Sequence, residues 1–276
     1  MKVKSLLLLT IAVTLCLSIF VVSASTEGYL TDSLVGFFDG SNNQGDKHDK
    51  DSETWKDLSG KGNDITVVLD ENNKWNDNGY FNDSTKVRLP DAFKDVVNGD
   101  EFTVEIVMNN IDMKGLHYNT VMNCDNDAFA LFRRESDEII MFKNGSNPRP
   151  QSAGNTAPGF LGSKVTLTVT LKLGEEVALY INGEKIDAKD APANLGANSM
   201  FFGHDSPDKN YSADYEFIRF YNRELTADEI AKNYAQDVKE PENPSTDVSI
   251  AFLFYTIAVL GLAGVAYKAS KRKVEG

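Results

Sequence analysis

The chain has 276 residues, with 41 Asp and Glu against 28 Lys and Arg, for a formal net charge of −13. That length holds one large β domain or two small ones with a true core, and the sign of the charge repels phosphate backbones and excludes nucleic acid as a partner. The cysteines, Cys16 inside an apolar leader and Cys124 in the body, exclude an intramolecular disulfide in the processed chain, and neither joins a histidine at zinc-ligand spacing.

Residues 1–24 read as a signal peptide. Lys2 and Lys4 form its charged start, Leu6 to Val22 is apolar, and Val22-Ser23-Ala24 offers small residues before a cleavage point. An uncleaved anchor is the alternative. An exported chain without disulfides fits a bacterium with a single membrane.

Leu34-Val35-Gly36-Phe37-Phe38 is the first expected strand, followed by the polar loop Asp39 to Asp51. Short strands follow at Ile65 to Leu69, Tyr80-Phe81 and Lys86 to Leu89. Phe102, Val104, Ile106 and Met108 alternate with Thr103, Glu105, Val107 and Asn109, a period of two. Phe129 to Arg134 and Glu138 to Phe142 form a hairpin about Ser136-Asp137. Val165 to Leu173 alternates apolar residues with Thr166, Thr168 and Thr170, the pattern of a strand with one buried face. Val177 to Ile181 runs into Asn182-Gly183, a hairpin turn signal. Met200 to Gly203 and then Asp214 to Tyr221 complete the strands.

The last strand passes into a helix with a full start signal. Thr226 and Glu229 have capping-box spacing, Leu225 and Ile230 flank them as a hydrophobic staple, and Ile230 with Tyr234 gives an apolar stripe. Many short strands, regular turns and one closing helix imply an all-β, jelly-roll β-sandwich over residues 25–236.

The segment Phe217-Ile218-Arg219-Phe220-Tyr221-Asn222-Arg223-Glu224-Leu225-Thr226-Ala227-Asp228-Glu229-Ile230 resembles the closing motif of the laminin-G-like, concanavalin A-like lectin/glucanase superfamily. Trp55-Lys56-Asp57-Leu58-Ser59-Gly60-Lys61-Gly62-Asn63-Asp64 resembles its opening, and Leu179-Tyr180-Ile181-Asn182-Gly183-Glu184 its internal hairpin. The resemblance covers Leu34 to Gln236. It implies a concanavalin A-like sandwich and a glycan or glycoprotein ligand met at the loop rim, with calcium as an accompanying ion.

Beyond the domain, residues 237–249 contain Pro241 and Pro244 and read as a linker. Residues 250–267 are nearly continuous apolar sequence, long enough to span a bilayer as a transmembrane helix. The basic tail at 268–276, with Lys268, Lys271, Arg272 and Lys273, is expected to stay cytoplasmic. Asn243-Pro244-Ser245-Thr246-Asp247 before the span resembles a Gram-positive sortase sorting signal. It departs from the usual pentapeptide at Asn243 and Asp247. That resemblance implies cleavage between Thr246 and Asp247 and transfer to peptidoglycan, with a plain single-pass membrane anchor as the alternative. Either way the domain is expected outside the cell.

The acidic loop supplies oxygen ligands of the kind calcium prefers, with Asp39, Asn42 and Asp46 as candidates and a solvated acidic loop as the alternative. Sugar sites use an aromatic face against the apolar face of a ring, with Asn, Asp and backbone groups for the hydroxyls. Tyr118 and Tyr211 are the stacking candidates, and Asn119, Asn126, His204, Asp205 and Asn210 the polar ones, while Trp55 and its following Asp57-Leu58-Ser59-Gly60 read as a core anchor. Glu135-Ser136-Asp137-Glu138 superficially matches a glucanase carboxylate strand but reads as a turn, and no nucleophile or phosphate-loop motif is present. The expected function is therefore a non-enzymatic, surface-anchored glycan- or glycoprotein-binding module. The alternatives are a glycoside hydrolase and a structural surface protein without a small ligand.

Overall fold

The computed structural model describes residues 26–83, 85–113, 118–134, 139–143, 163–205 and 211–239. The leader, the sorting-like segment 243–247, the apolar run 250–267, the basic tail and the turn at Glu135–Glu138 lie outside the described residues. No helix among the described residues is long and apolar enough to cross a membrane.

Fifteen strands and two helices are described: β1 Leu34–Asp39, β2 Thr54–Trp55, β3 Ile65–Thr66, β4 Lys74–Trp75, β5 Tyr80–Asn82, β6 Val87–Arg88, α1 Asp91–Val97, β7 Glu101–Met113, β8 Tyr118–Asn123, β9 Ala130–Arg134, β10 Ile139–Lys143, β11 Val165–Lys172, β12 Glu176–Ile181, β13 Glu184–Asp190, β14 Phe201–Phe202, β15 Tyr211–Tyr221 and α2 Ala227–Asp237. They form two antiparallel sheets. The larger runs β13-β12-β11-β7-β15-β5-β4, with β1 also paired to β15, and the smaller runs β10-β9-β8-β14-β6. A two-stranded ribbon, β2-β3, lies apart from both.

The alternation expected in β7 and β11 is what separates the two faces. Phe102, Val104, Ile106 and Met108 of β7, Leu167, Val169 and Leu171 of β11, and Ile218 and Phe220 of β15 join one core cluster. Met122, Leu131, Phe142, Phe202 and Val87 of the smaller sheet belong to the same cluster. Trp55 is fully buried there, its Nε1 donating to the Asp39 carbonyl at 3.0 Å, as a core anchor should. Trp75, equally beside polar sequence, is also core, 5.2 Å from Trp55 edge to face. Asp57 explains the rest of the opening motif. Its Oδ1 accepts from the N–H groups of Phe37 and Ser59, and its Oδ2 from that of Asn63, so the loop is tied to β1.

Three expectations need correction. The threonine face of β11 is not exposed: Thr166, Thr168 and Thr170 are all buried. The outer face of the large sheet is roofed by α2 and by the incoming segment at Tyr29 and Leu30. Second, the buried stripe of α2 is Ile230, Asn233 and Asp237 rather than Ile230 and Tyr234. Tyr234 is half-buried and leans on Gly183, where any Cβ would press into its ring at about 3 Å. Gly183 also follows Asn182 with φ of 80° and 53°, the pair of positive values that a tight two-residue hairpin requires. The expected strand at Ile65 to Leu69 shrinks to two residues, because the chain there serves the small ribbon. Strand β13 carries too many charges to alternate, and its edge position tolerates them.

Under α2 lies a buried polar network. Arg219 donates to Asp237 through Nη1 and Nη2, at 2.7 and 2.8 Å, and through Nε to Glu105 at 2.7 Å. Asn233 Nδ2 donates to Glu105 and to the Tyr221 hydroxyl, Thr166 Oγ1 and Tyr29 OH donate to Asp237, and the Leu30 N–H donates to Asn233. Burial works against the Arg219 charge, and Asp237 and Glu105 outweigh it, leaving the guanidinium more basic than usual. Burial pushes the Glu105 carboxyl up, with Arg219 opposing. Removing one partner of such a group strands the others, so Arg219→Ala should cost about 3–5 kcal/mol in denaturant unfolding.

The capping box forms as expected. Thr226 N–H donates to Glu229 Oε2 at 2.9 Å, and Glu229 N–H to Thr226 Oγ1 at 3.3 Å. Hydrogen bonds from Arg223 chiefly hold the Glu229 carboxyl down at about 2, against 4.5 for a free one. A depressed carboxyl stabilises fully above its unfolded value and ceases to do so once protonated in the fold. Glu229→Ala should therefore lower stability by about 1 kcal/mol at neutral pH. In thermal melts the gap to wild type should close as pH falls from 4.5 to about 2.

Candidate functional site

A groove of about 480 Å³ opens between β3 and β6. Val68, Leu89 and Pro90 line it with apolar surface, and Asp64, Thr66, Arg88 and Asp205 with polar groups. Val68 is 42% exposed, one of three large apolar side chains left in solvent among the described residues. The strands are short here, so the floor is set by two tethers. The Lys86 N–H donates to Asp205 Oδ1 at 2.7 Å, which fastens the chain after β14 to the start of β6. Gly203, with φ of 67°, lets β14 pass directly beneath the Thr85 carbonyl and the Asn82 amide.

The polar groups are pre-set. Lys86 Nζ lies 4.3 Å from the centroid of the Phe201 ring and 3.1 Å from Asp125 Oδ1. Arg88 Nη1 reaches Asp125 Oδ2 at 2.8 Å, and Ser199 Oγ donates to the same oxygen. Hydrogen bonds from Arg88 first, then from Lys86 and Ser199, hold the Asp125 carboxyl down at about 2. On the other wall Lys56 Nζ sits 2.6 Å from Asp64. Burial opposes ionisation of Asp64, but Lys56 and the Asp57 N–H outweigh it and its pKa is lowered. Every carboxylate in and beside the groove is thus an acceptor in place before any ligand arrives.

The sequence-derived candidates divide. Asp205 lines the groove, His204 is next to it with its ring 6.2 Å from Phe201, and Asn126 lies one residue from Asp125. Asn126 spends its amide within the protein, donating to the Gly196 carbonyl in the segment before β14 and accepting from Cys124 Sγ. Asn119 is fully buried in β8 and is withdrawn from any solvent-facing role, because the strand places it inside. Asn210, and the side chains of Tyr118 and Tyr211, lie outside the described residues. Lys86, Arg88 and Asp64 were missed, since two-residue strands leave no periodic signal.

In the acidic loop, Asp39 caps a 3-10 turn at Gly40–Asn42, accepting from Ser41 N and Oγ. Burial first, opposed by those bonds, raises its pKa. Asn42 Nδ2 donates to the Gly45 carbonyl, and its Oδ1 is buried without a partner among the described residues. Asp46 is exposed. No group of three or more His, Cys, Asp or Glu able to hold a metal occurs among the described residues.

A second, more polar pocket of about 320 Å³ lies on the outer face of the large sheet, where Asn76, Asn109, Asn110, Asp214 and Glu216 converge. Asp214 accepts from Asn76 and Asn110, both at 2.6 Å.

The description "Concanavalin A-like lectin/glucanases superfamily" matches residues 81–231, more than half the chain. The chain belongs to that superfamily. A comparison of the sequence with curated proteins finds no match. Among solved structures, this lectin/glucanase-type domain is similar to the Trypanosoma rangeli sialidase in complex with sialic acid, at 18% identity and TM-score 0.57, covering 76% of this chain and 34% of the sialidase. It is also similar to the receptor binding domain of botulinum neurotoxin C/D mosaic serotype, at 16% identity and TM-score 0.58, covering 75% and 52%. The binding domain of botulinum neurotoxin DC in complex with SialylT aligns at 15% identity and TM-score 0.54, with 75% and 52% covered. The chain spans about a third of the sialidase and about half of each toxin domain. These likenesses establish the sandwich.

Gly203→Ala tests how the groove is held. A methyl group there collides with the Thr85 carbonyl in a backbone region that disfavours a side chain. The variant should lose at least about 1 kcal/mol in chemical unfolding.

Proposed function

We propose that the chain is a glycan- or glycoprotein-binding module displayed on the outside of the cell, and that the groove between β3 and β6 receives the sugar. The observation that carries this is a groove whose lining combines apolar surface, from Val68, Leu89 and Pro90, with polar groups, from Asp64, Thr66, Arg88 and Asp205. A pyranose presents a ring face for the first and hydroxyls for the second. Membership of a lectin/glucanase superfamily supports the reading. So does the fold's use in a sialidase in complex with sialic acid and a toxin domain in complex with SialylT.

The groove favours binding over turnover. A glycosidase acid needs a carboxyl kept protonated near neutral pH. Asp64 is shifted the other way, Lys56 and the Asp57 N–H outweighing its burial. Calcium enters the reading through the loop 39–51, where Asn42 Oδ1, buried and without a partner among the described residues, is one oxygen ready for a hard cation, with Asp39 and Asp46 near it in sequence. Display rests on the leader 1–24 and on the apolar run and basic tail at the other end, with either sortase and peptidoglycan or the membrane alone as anchor.

A glycan array probed with the full chain should show retained sugars and no cleavage products. Arg88→Ala and Asp205→Asn, the latter keeping an oxygen for the Lys86 N–H, should each weaken the best hit about tenfold or more while leaving the fold intact by circular dichroism, in line with the loss of a charge-assisted hydrogen bond. Chelator should weaken the same hit and lower the melting temperature. Undiminished binding by both variants would place the ligand elsewhere.

A further inference from the structure

We propose that Lys164 and Asn109 become joined by an amide bond between their side chains, with Glu216 carrying the protons. The site is independent of the groove and of the glycan reading, since it lies on the outer face of the large sheet. Lys164 precedes β11, and the antiparallel register Val165 to Met108 sets it across from Asn109 on β7. Glu216 comes from β15, the strand on the other side of β7, at a bulge between Tyr215 and Phe217. The Lys164 Nζ lies 2.7 Å from Glu216 Oε2, and Asn109 Nδ2 donates to Glu216 Oε1 at 3.1 Å. One carboxylate therefore holds an amine with one oxygen and a carboxamide with the other.

The surroundings suit the chemistry. The Glu216 side chain is 6% exposed and that of Lys164 33%. The Phe217 ring lies 5.8 Å from Lys164 Nζ, an apolar wall on the amine. Holding the amine and the carboxamide on the two oxygens of one carboxylate replaces a bimolecular encounter with a positioned one. Asn76 and Asn110 hold Asp214, so that carboxylate does not compete for the lysine.

The step balances without oxidant or co-reactant. The Lys164 ammonium gives one proton to Glu216, and the freed Nζ lone pair attacks Asn109 Cγ. Glu216 passes that proton to the Asn109 nitrogen, then relays a second from the attacking nitrogen. The Cγ–Nδ2 bond breaks, the new Cγ–Nζ bond remains, and the nitrogen leaves as ammonium. Glu216 ends as the carboxylate it began as, which makes it a general acid and base rather than a reactant.

Peptide mapping of the full chain by mass spectrometry decides the matter. The expected result is a single branched peptide containing Asn109 and Lys164, lighter than its two parts by one ammonia, about 17 Da, with no tryptic cut after Lys164. Glu216→Gln should abolish the mass loss, and Lys164→Arg, which keeps a cation on Glu216 and so the local fold, should abolish it as well. Two separate peptides of full mass from folded wild-type protein would overturn the proposal. So would a branched peptide that survives in the Lys164→Arg variant.

Discussion

The structure depends on a single cation placed where no water reaches. Arg219 sits on the outer face of the large sheet and must be matched from all sides, because an unmatched guanidinium in that position is untenable. Asp237 offers a two-pronged acceptor from α2, and Glu105 offers another from β7. That demand is met beside an apolar cluster of Phe37, Tyr221, Leu225 and Ile230, against which Tyr29 and Leu30 also pack. The helix lies at the angle that brings Asp237 and Asn233 onto the sheet, and the Tyr29 ring stacks 4.8 Å from the guanidinium as a lid. The large sheet therefore has an apolar face toward the smaller sheet and a mixed face toward the helix, where the Arg219 network and an apolar cluster lie together.

That arrangement explains which parts of the fold were legible in the residues. A helix start is local, so Thr226 and Glu229 announced theirs, and Asn182-Gly183 announced its hairpin. Core alternation in β7 and β11 was equally plain. The burial of Thr166, Thr168 and Thr170 was not, because a threonine facing a roof and a threonine facing water look alike in sequence. The same holds for α2, whose buried stripe is half polar. Its Asn233 and Asp237 gain meaning only once Arg219 and Glu105 are seen beneath them.

The site was less legible still. Asp205 and His204 stood out as polar residues beside an aromatic strand; Asp205 lines the groove, and His204 is its chain neighbour with its ring against Phe201. Asn119 looked equivalent but sits on an inward strand position. Lys86 and Arg88 are separated from Asp125 by a whole helix and two long strands, and only the pairing of β14 with both β6 and β8 brings them together. The meeting of Lys164, Asn109 and Glu216 required two strand registers and one bulge, none of which a single segment encodes.

The contacts of Arg219 have one more result. Tyr29 and Leu30, where the chain comes into the domain, and Asn233 and Asp237, where it leaves, bond to one another or to the same partner. A pull applied at residue 26 against residue 239 is thus borne first by a clasp of ion pair and hydrogen bonds, loaded in shear across α2. The two sheets behind it stay out of the line of tension until the clasp gives way.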